Sequence, residues 1–176
     1  MKVLIVVDLQ RDFVDGALGT KEAQAIVPNV CKEIKERADK DTVVIFTKDT
    51  HYEDYMDTLE GKNLPVPHCI EGTEGHTIVD EVFKAYTGRP IVIEKPTFGS
   101  RELQSTLFAM ASTKGIEEVT LMGLCTGICV LSNAILAKAT LPEVPVNVVA
   151  DCCACVTPES HKTALEAMKL CQINII

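Results

Sequence analysis

Val3-Leu4-Ile5-Val6-Val7-Asp8 is a continuous apolar run that ends on a carboxylate. Without polar alternation, such a run suits a strand whose sheet is covered on both faces, as in the middle of a parallel sheet. Asp8 then falls at the strand's carboxyl end, where open α/β sheets bind their ligands. Working outward, residues 42–47, 90–94, 117–123, 145–150 and 172–176 also read as strands. Helical periodicity separates them: Ile26, Val30 and Ile34 form one stripe, Val79, Val82, Phe83 and Tyr86 a second, Leu103, Leu107 and Met110 a third. Thr157-Pro158 predicts an N-cap with proline in the first turn, opening a helix to about residue 170. Strands alternating with helices predict an α/β fold. The expected architecture is a three-layer sandwich around a six-stranded, mostly parallel, doubly wound sheet, with residues 1–176 forming one domain.

Composition narrows the function. A net charge of −8 with no local basic cluster argues against nucleic acid as a partner. No apolar run approaches the roughly 18 residues of a membrane span. Met1-Lys2 leads straight into a run too short for a secretory segment, so a cytoplasmic protein is expected. Small-molecule substrates and assembly into a homo-oligomer are the expected partnerships. Eight cysteines without a secretory leader read as reduced thiols, most of them small buried hydrophobes.

Four strand ends carry reactive side chains: Asp8, Lys48-Asp49-Thr50-His51, Glu94-Lys95-Pro96, and the segment Gly123-Leu124-Cys125-Thr126-Gly127-Ile128-Cys129. Cys129 is the candidate nucleophile, because Thr126-Gly127 predicts a helix start, whose dipole favours thiolate. The competing reading is a structural cysteine in an apolar helix. If the winding reverses after the third strand, the first and fourth strands become neighbours and Asp8 faces Cys129 as a base. Asp8 could otherwise cap the following loop. A phosphotransferase would need a second Asp two residues on, and Gln10 stands there. Lys95 is placed to stabilise both the carboxylate and the thiolate, though a single lysine at a strand end is more commonly solvated.

Residues 49–77 break the rhythm, with Pro65, Pro67, Gly61, Gly72, Gly75 and three of the four histidines. A loop of this length in a compact domain is usually functional or disordered. Asp49 and His51, two apart, project to one side of an extended chain. With Glu60 and His68 they make a candidate site for Zn²⁺, or alternatively Fe²⁺ or Mn²⁺. Glu53, Asp54 and His76 are alternative ligands that spacing leaves open. Cys152-Cys153-Ala154-Cys155 contains a CxxC, but the helix start after it falls at Pro158, away from the first cysteine.

Asp8-Leu9-Gln10-Arg11-Asp12-Phe13, Asp49-Thr50-His51, Pro67-His68-Cys69-Ile70-Glu71-Gly72-Thr73, Lys95 and Gly123 through Val130 together resemble the isochorismatase-like cysteine hydrolases, over nearly the whole chain. Within that superfamily the pattern is most similar to the nicotinamidases. The resemblance implies a six-stranded parallel sheet and a catalytic triad of Asp8, Lys95 and Cys129. It implies an oxyanion hole from the backbone N–H groups of Cys125 and Cys129, with a cis peptide at Leu124-Cys125. It also implies one divalent metal ion on Asp49, His51 and His68, with Glu60 as an added ligand, and hydrolysis of nicotinamide through a thioester. Phe13 is expected against the substrate ring, with a core role as the alternative. Gly127 and Thr50 depart from the family pattern, which usually has Asp and Trp there. Two rival functions remain: another amide or isochorismate hydrolase of the same fold, and a non-catalytic metal- or ligand-binding module. Relatives acting on isochorismate lack the nucleophilic cysteine and the metal cluster, which sets them apart from this chain.

Overall fold

The computed structural model describes residues 1–176. Six strands form one sheet: β1 (Lys2–Val7), β2 (Thr42–Asp49), β3 (Ile91–Lys95), β4 (Glu118–Leu124), β5 (Val146–Ala154) and β6 (Asn174–Ile175). Their order is β3-β2-β1-β4-β5-β6 and every pairing is parallel. Two strands exceed the expected spans: β2 runs on to Asp49, which pairs with Lys95, and β5 runs on to Ala154. The last strand is shorter than expected, with two paired residues.

Helices cover both faces, which explains the unbroken apolar run of β1: Val3 through Val7 are each buried. On one face α2 (Lys21–Arg37) packs with a shorter helix, α4 (Asp80–Ala85). Thr20 caps α2 by accepting from the Ala23 N–H, and Ile26, Val30 and Ile34 form its buried stripe. The other face carries α5 (Arg101–Lys114), α6 (Leu131–Thr140) and α7 (Pro158–Leu170). Thr157 and Ser160 cap α7 reciprocally, with Pro158 in its first turn. The stripe through Val79 and Tyr86 supports only the six residues of α4, and Phe83 is exposed. No helix is long and apolar enough to cross a membrane.

The winding reverses between β1 and β4, which opens a crevice at their carboxyl ends. Strands approach so closely there that Gly123 is obligatory: a Cβ would stand 2.1 Å from the Val7 carbonyl oxygen, and φ is +126°. Asp8, immediately after β1, holds φ +47°, a left-handed conformation that Asp tolerates better than most residues. The segment after β2 is ordered by a short turn at Tyr55–Asp57, by α3 (Leu59–Asn63) and by a bridge between His51 and Ile70. A four-residue helix, α1 (Arg11–Val14), precedes α2 and presents Phe13 and Asp12 to that segment.

Candidate active site

Asp8 follows β1, Asp49 ends β2, Lys95 ends β3, and Cys129 lies in the turn after β4. All four are buried. Lys95 Nζ lies 2.7 Å from Asp8 Oδ2, 3.4 Å from Asp49 Oδ1 and 3.4 Å from Cys129 Sγ. One ammonium thus serves three anionic or potentially anionic groups. Thr47 Oγ1 donates to Asp8 Oδ1 at 2.6 Å, while Oδ2 has the ion pair but no aligned hydrogen bond. Burial and the charge of Asp49 push the Asp8 carboxyl above the ordinary range, although Lys95 opposes them. Burial alone would lower the Lys95 ammonium, but the Asp8, Cys129 and Asp49 charges outweigh it and hold Lys95 well above the usual lysine value.

The surroundings of Cys129 are more enclosed than a simple helix start. Residues Thr126–Val130 form a π-helical turn before α6, and Cys129 is buried within it. Burial first, then the Asp8 charge, raise the thiol well above its ordinary value, against the pull of Lys95. Burial thus works against ionisation of this thiol. The Leu124–Cys125 peptide is cis, and the Cys125 N–H donates to no protein acceptor.

Beside this cluster, Asp49, His51, Glu60 and His68 turn one ligand atom each toward a common point, all within 4.8 Å of one another. His51 Nε2 lies 3.0 Å from Asp49 Oδ2 and 3.6 Å from Glu60 Oε1; His68 Nε2 lies 3.5 Å and 4.0 Å from the same oxygens. The Val66 carbonyl, which can only accept, sits 2.8 Å from His68 Nδ1. It fixes the proton on Nδ1 and leaves the Nε2 lone pair for a metal. Burial and the facing Asp49 push Glu60 upward, against the pull of His51 and His68. Two imidazoles and two carboxylates, gathered and partly desolvated, fit a divalent transition metal. Glu53 and Asp54 stand outside the group. His76 is engaged elsewhere, with Thr50 Oγ1 at 2.9 Å and Lys48 Nζ at 3.3 Å.

A cavity of about 560 Å³ joins the two clusters, with a mostly apolar wall that includes Phe13, Leu64, Phe98 and Ile128. Phe13 is half-buried and tilted against His68 at 5.4 Å, so it belongs to the cavity wall. Several supporting residues escaped the sequence reading. Gln10 donates to the Asp49 and His76 carbonyls and accepts from the Asp49 N–H at 2.7 Å, clamping the backbone of a candidate ligand from both sides. Asn133 donates to the Cys129 carbonyl at 2.8 Å and to the Phe98 carbonyl at 3.1 Å, and accepts from the Ser100 N–H. Asp12 accepts from the Cys69 N–H at 2.7 Å, next to His68. Tyr55 packs on both imidazoles, at 4.7 and 5.1 Å. Gln10 and Asp12 lie inside the Asp8–Phe13 motif quoted for the family resemblance, an Asn four residues after Cys129 in a mostly apolar helix was a further signal, and Tyr55 sits in a short turn without periodicity.

The sequence pattern of the Isochorismatase domain matches residues 2–176. A nicotinamidase/pyrazinamidase of Mycobacterium tuberculosis is 28% identical over 190 aligned residues, covering 100% of this chain and 98% of its own. Among solved structures, the pyrazinamidase/nicotinamidase from Streptococcus mutans superposes with a TM-score of 0.86 at 28% identity, covering 100% of both chains. The pyrazinamidase of Pyrococcus horikoshii, in complex with zinc, gives 0.83 at 29% identity, covering 99% of this chain and 98% of its own.

Proposed function

The chain belongs to the isochorismatase domain family, and from that premise we propose that it is a nicotinamidase, hydrolysing nicotinamide to nicotinate and ammonia, with residues 1–176 acting as one hydrolase unit. The observation that carries this reading is one buried lysine shared by Asp8, Cys129 and Asp49, the last of which also belongs to the group of four candidate ligands. A thiol-based reaction centre and a ligand-docking centre then share one wall of a cavity that a pyridine ring fits.

Asp8 takes the Cys129 proton as the sulfur attacks the carboxamide carbon. Its raised basicity suits it to that role. Lys95 keeps one positive charge against the pair whichever partner is anionic, so the proton moves from sulfur to oxygen with little change in the local field. The N–H groups of Cys125 and Cys129 receive the carbonyl oxygen as it becomes an oxyanion. Asp8 returns its proton to the departing nitrogen, which leaves as ammonia. It then deprotonates a water that adds to the thioester carbon; the C–S bond breaks, nicotinate is released, and Asp8 returns the proton to the Cys129 sulfur. Asp49, His51, Glu60 and His68 would hold one divalent ion, zinc in first place and iron or manganese as alternatives. When bound, that ion supplies a Lewis-acid docking point for the pyridine nitrogen. Phe13 flanks the ring.

Ammonia release from nicotinamide tests the reading. The assay follows dialysis against chelator and re-addition of Zn²⁺, Mn²⁺ or Fe²⁺ in turn, with isochorismate and a linear aliphatic amide as comparison substrates. Turnover of nicotinamide well above the comparison substrates is expected. Metal binding without ammonia release from any amide would replace this reading with a non-catalytic metal-binding module.

A further inference from the structure

The CxxC at Cys152–Cys155 has no part in the mechanism above, and the structure shows why it is not itself a redox pair. Strand β5 runs through Ala154, so Cys152 and Cys155, three apart on extended chain, point to opposite faces of the sheet. Cys155 has a different neighbour. Strands β4 and β5 pair as Gly123 with Cys153 and Leu124 with Ala154, so the next step along both chains sets Cys125 beside Cys155. Adjacent strands lie ~4.7–4.9 Å apart, and side chains at matched positions project to the same face. That separation falls inside the ~4.4–6.8 Å between Cα atoms that a disulfide spans. Both thiols line the same cavity as Cys129, and each is the first influence on the other's acidity. Gly127 lies against this pair: the position a Cβ would take is in ordinary van der Waals contact with Cys155 Sγ, at 3.5 Å.

We propose that Cys125 and Cys155 are a modification site in the cavity wall, joined by a peroxide into a reversible disulfide that shuts the active site. Cys155 sulfur attacks one oxygen of the peroxide, the O–O bond breaks, and a sulfenic acid forms on Cys155. Cys125 sulfur then attacks Cys155 sulfur; the S–S bond forms as the S–O bond breaks, and the departing hydroxide leaves as water with the Cys125 proton. Two thiols and one hydrogen peroxide give one disulfide and two waters. Oxidation runs through this pair because of the thiols' surroundings. The surroundings of Cys155, with Cys125, Ser160 and the N–H groups of Gly127 and Val156 as the favourable neighbours, pull it down to about 5 against its burial. Thiolate is the form that peroxides oxidise. Burial and the Asp8 charge raise Cys129 well above its ordinary value, and burial pushes Cys152 and Cys153 up to about 12.

The bond would tether Cys125, whose N–H is read above as an oxyanion donor, and would stiffen the wall against which Cys129 must work. That consequence rests on the proposed amidase function, whereas the cross-link does not.

The test therefore has two arms. Cys129→Ala protein and wild-type protein are treated with dilute hydrogen peroxide, alkylated, digested and mapped by mass spectrometry. A linked peptide pair joining Cys125 to Cys155, two hydrogens lighter than the sum and lost on dithiothreitol, is expected in both proteins and in neither with Cys155→Ser. Alkylated or over-oxidised Cys125 and Cys155 without a linked peptide would overturn the proposal. In the second arm each protein's ammonia release is followed relative to its own untreated rate. Wild type should lose activity at least tenfold faster than Cys155→Ser and regain it with dithiothreitol; equal rates would overturn control by this bond. A protein that never releases ammonia removes the amidase reading, and the linked peptide still decides the disulfide.

Discussion

Replacing Lys95 with Met keeps most of the aliphatic stem and removes only the cation, which makes it the sharpest probe of the buried cluster. Asp8 then loses its partner at 2.7 Å and keeps the single hydrogen bond from Thr47. Breaking a buried pair from one side costs about 3–5 kcal/mol, because the remaining charge is stranded. That is a large fraction of the roughly 5–15 kcal/mol by which domains are stable, so urea unfolding of the metal-loaded variant should shift strongly. The loss should depend on pH in a definite sense. Burial already raises Asp8, and without Lys95 its folded-state value rises further, so the folded protein binds the proton more tightly than the unfolded chain. Stability then falls as pH rises from the unfolded carboxylate value, about 3.9, to the raised folded value, by at most about 1.4 kcal/mol per unit. Acidification through that window should thus narrow the gap to wild type. Adding Asp8→Asn removes the stranded charge, and the double variant should show a coupling of about 2–3 kcal/mol relative to the two singles. Turnover should fall by at least about 100-fold in the single variant. A Lys95→Met protein destabilised by less than about 1 kcal/mol, with no pH dependence and no coupling to Asp8, would refute the stranded-charge argument.

Cys129→Ala should abolish ammonia release and leave the fold intact. A substrate-derived thioester trapped in wild type should map to Cys129; one found on Cys155 with activity surviving in Cys129→Ala would reassign the nucleophile. His51→Ala, or removal of the metal, should raise KM for nicotinamide with kcat much less affected, as expected when binding shared by ground and transition states is lost. Metal-free enzyme with unchanged kcat/KM would exclude a docking role for the ion. Asn133→Ala leaves the buried Ser100 N–H and the Cys129 carbonyl without their partner, so unfolding free energy should drop by about 1–3 kcal/mol. Its kcat should fall more than its KM rises, since the nucleophile's turn is released while the metal site is untouched; the reverse pattern would count against that role.

Residues that act where a strand ends were legible because a single local pattern, an apolar run stopping on a polar side chain, marks the position in the fold. Asp8 carries that mark directly, Lys95 and Asp49 stand one and two residues past the polar stops of theirs at Glu94 and Thr47, and the parallel order of the sheet brings the strand ends together. Cys129 needed more, since its turn winds as a π-helix and no propensity in Thr126-Gly127-Ile128-Cys129-Val130 announces one. That is why the burial of its thiol was not read from the sequence while its place after the fourth strand was. The least legible contact is the one between Cys125 and Cys155. It depends on the pairing of β4 with β5, and that pairing slips: Leu121 faces Val148, yet Gly123 faces Cys153. An even register continued from Leu121 and Val148 would have set Cys125 beside Cys152, within the CxxC that the sequence displays. The irregularity carries the strand forward, so the thiol beside Cys125 comes from the strand's far end, Cys155. A bulge is set by how neighbouring strands and helices pack, and no short window of sequence encodes it. Motif reading therefore located the residues that strand ends bring together and missed the neighbours that register brings together.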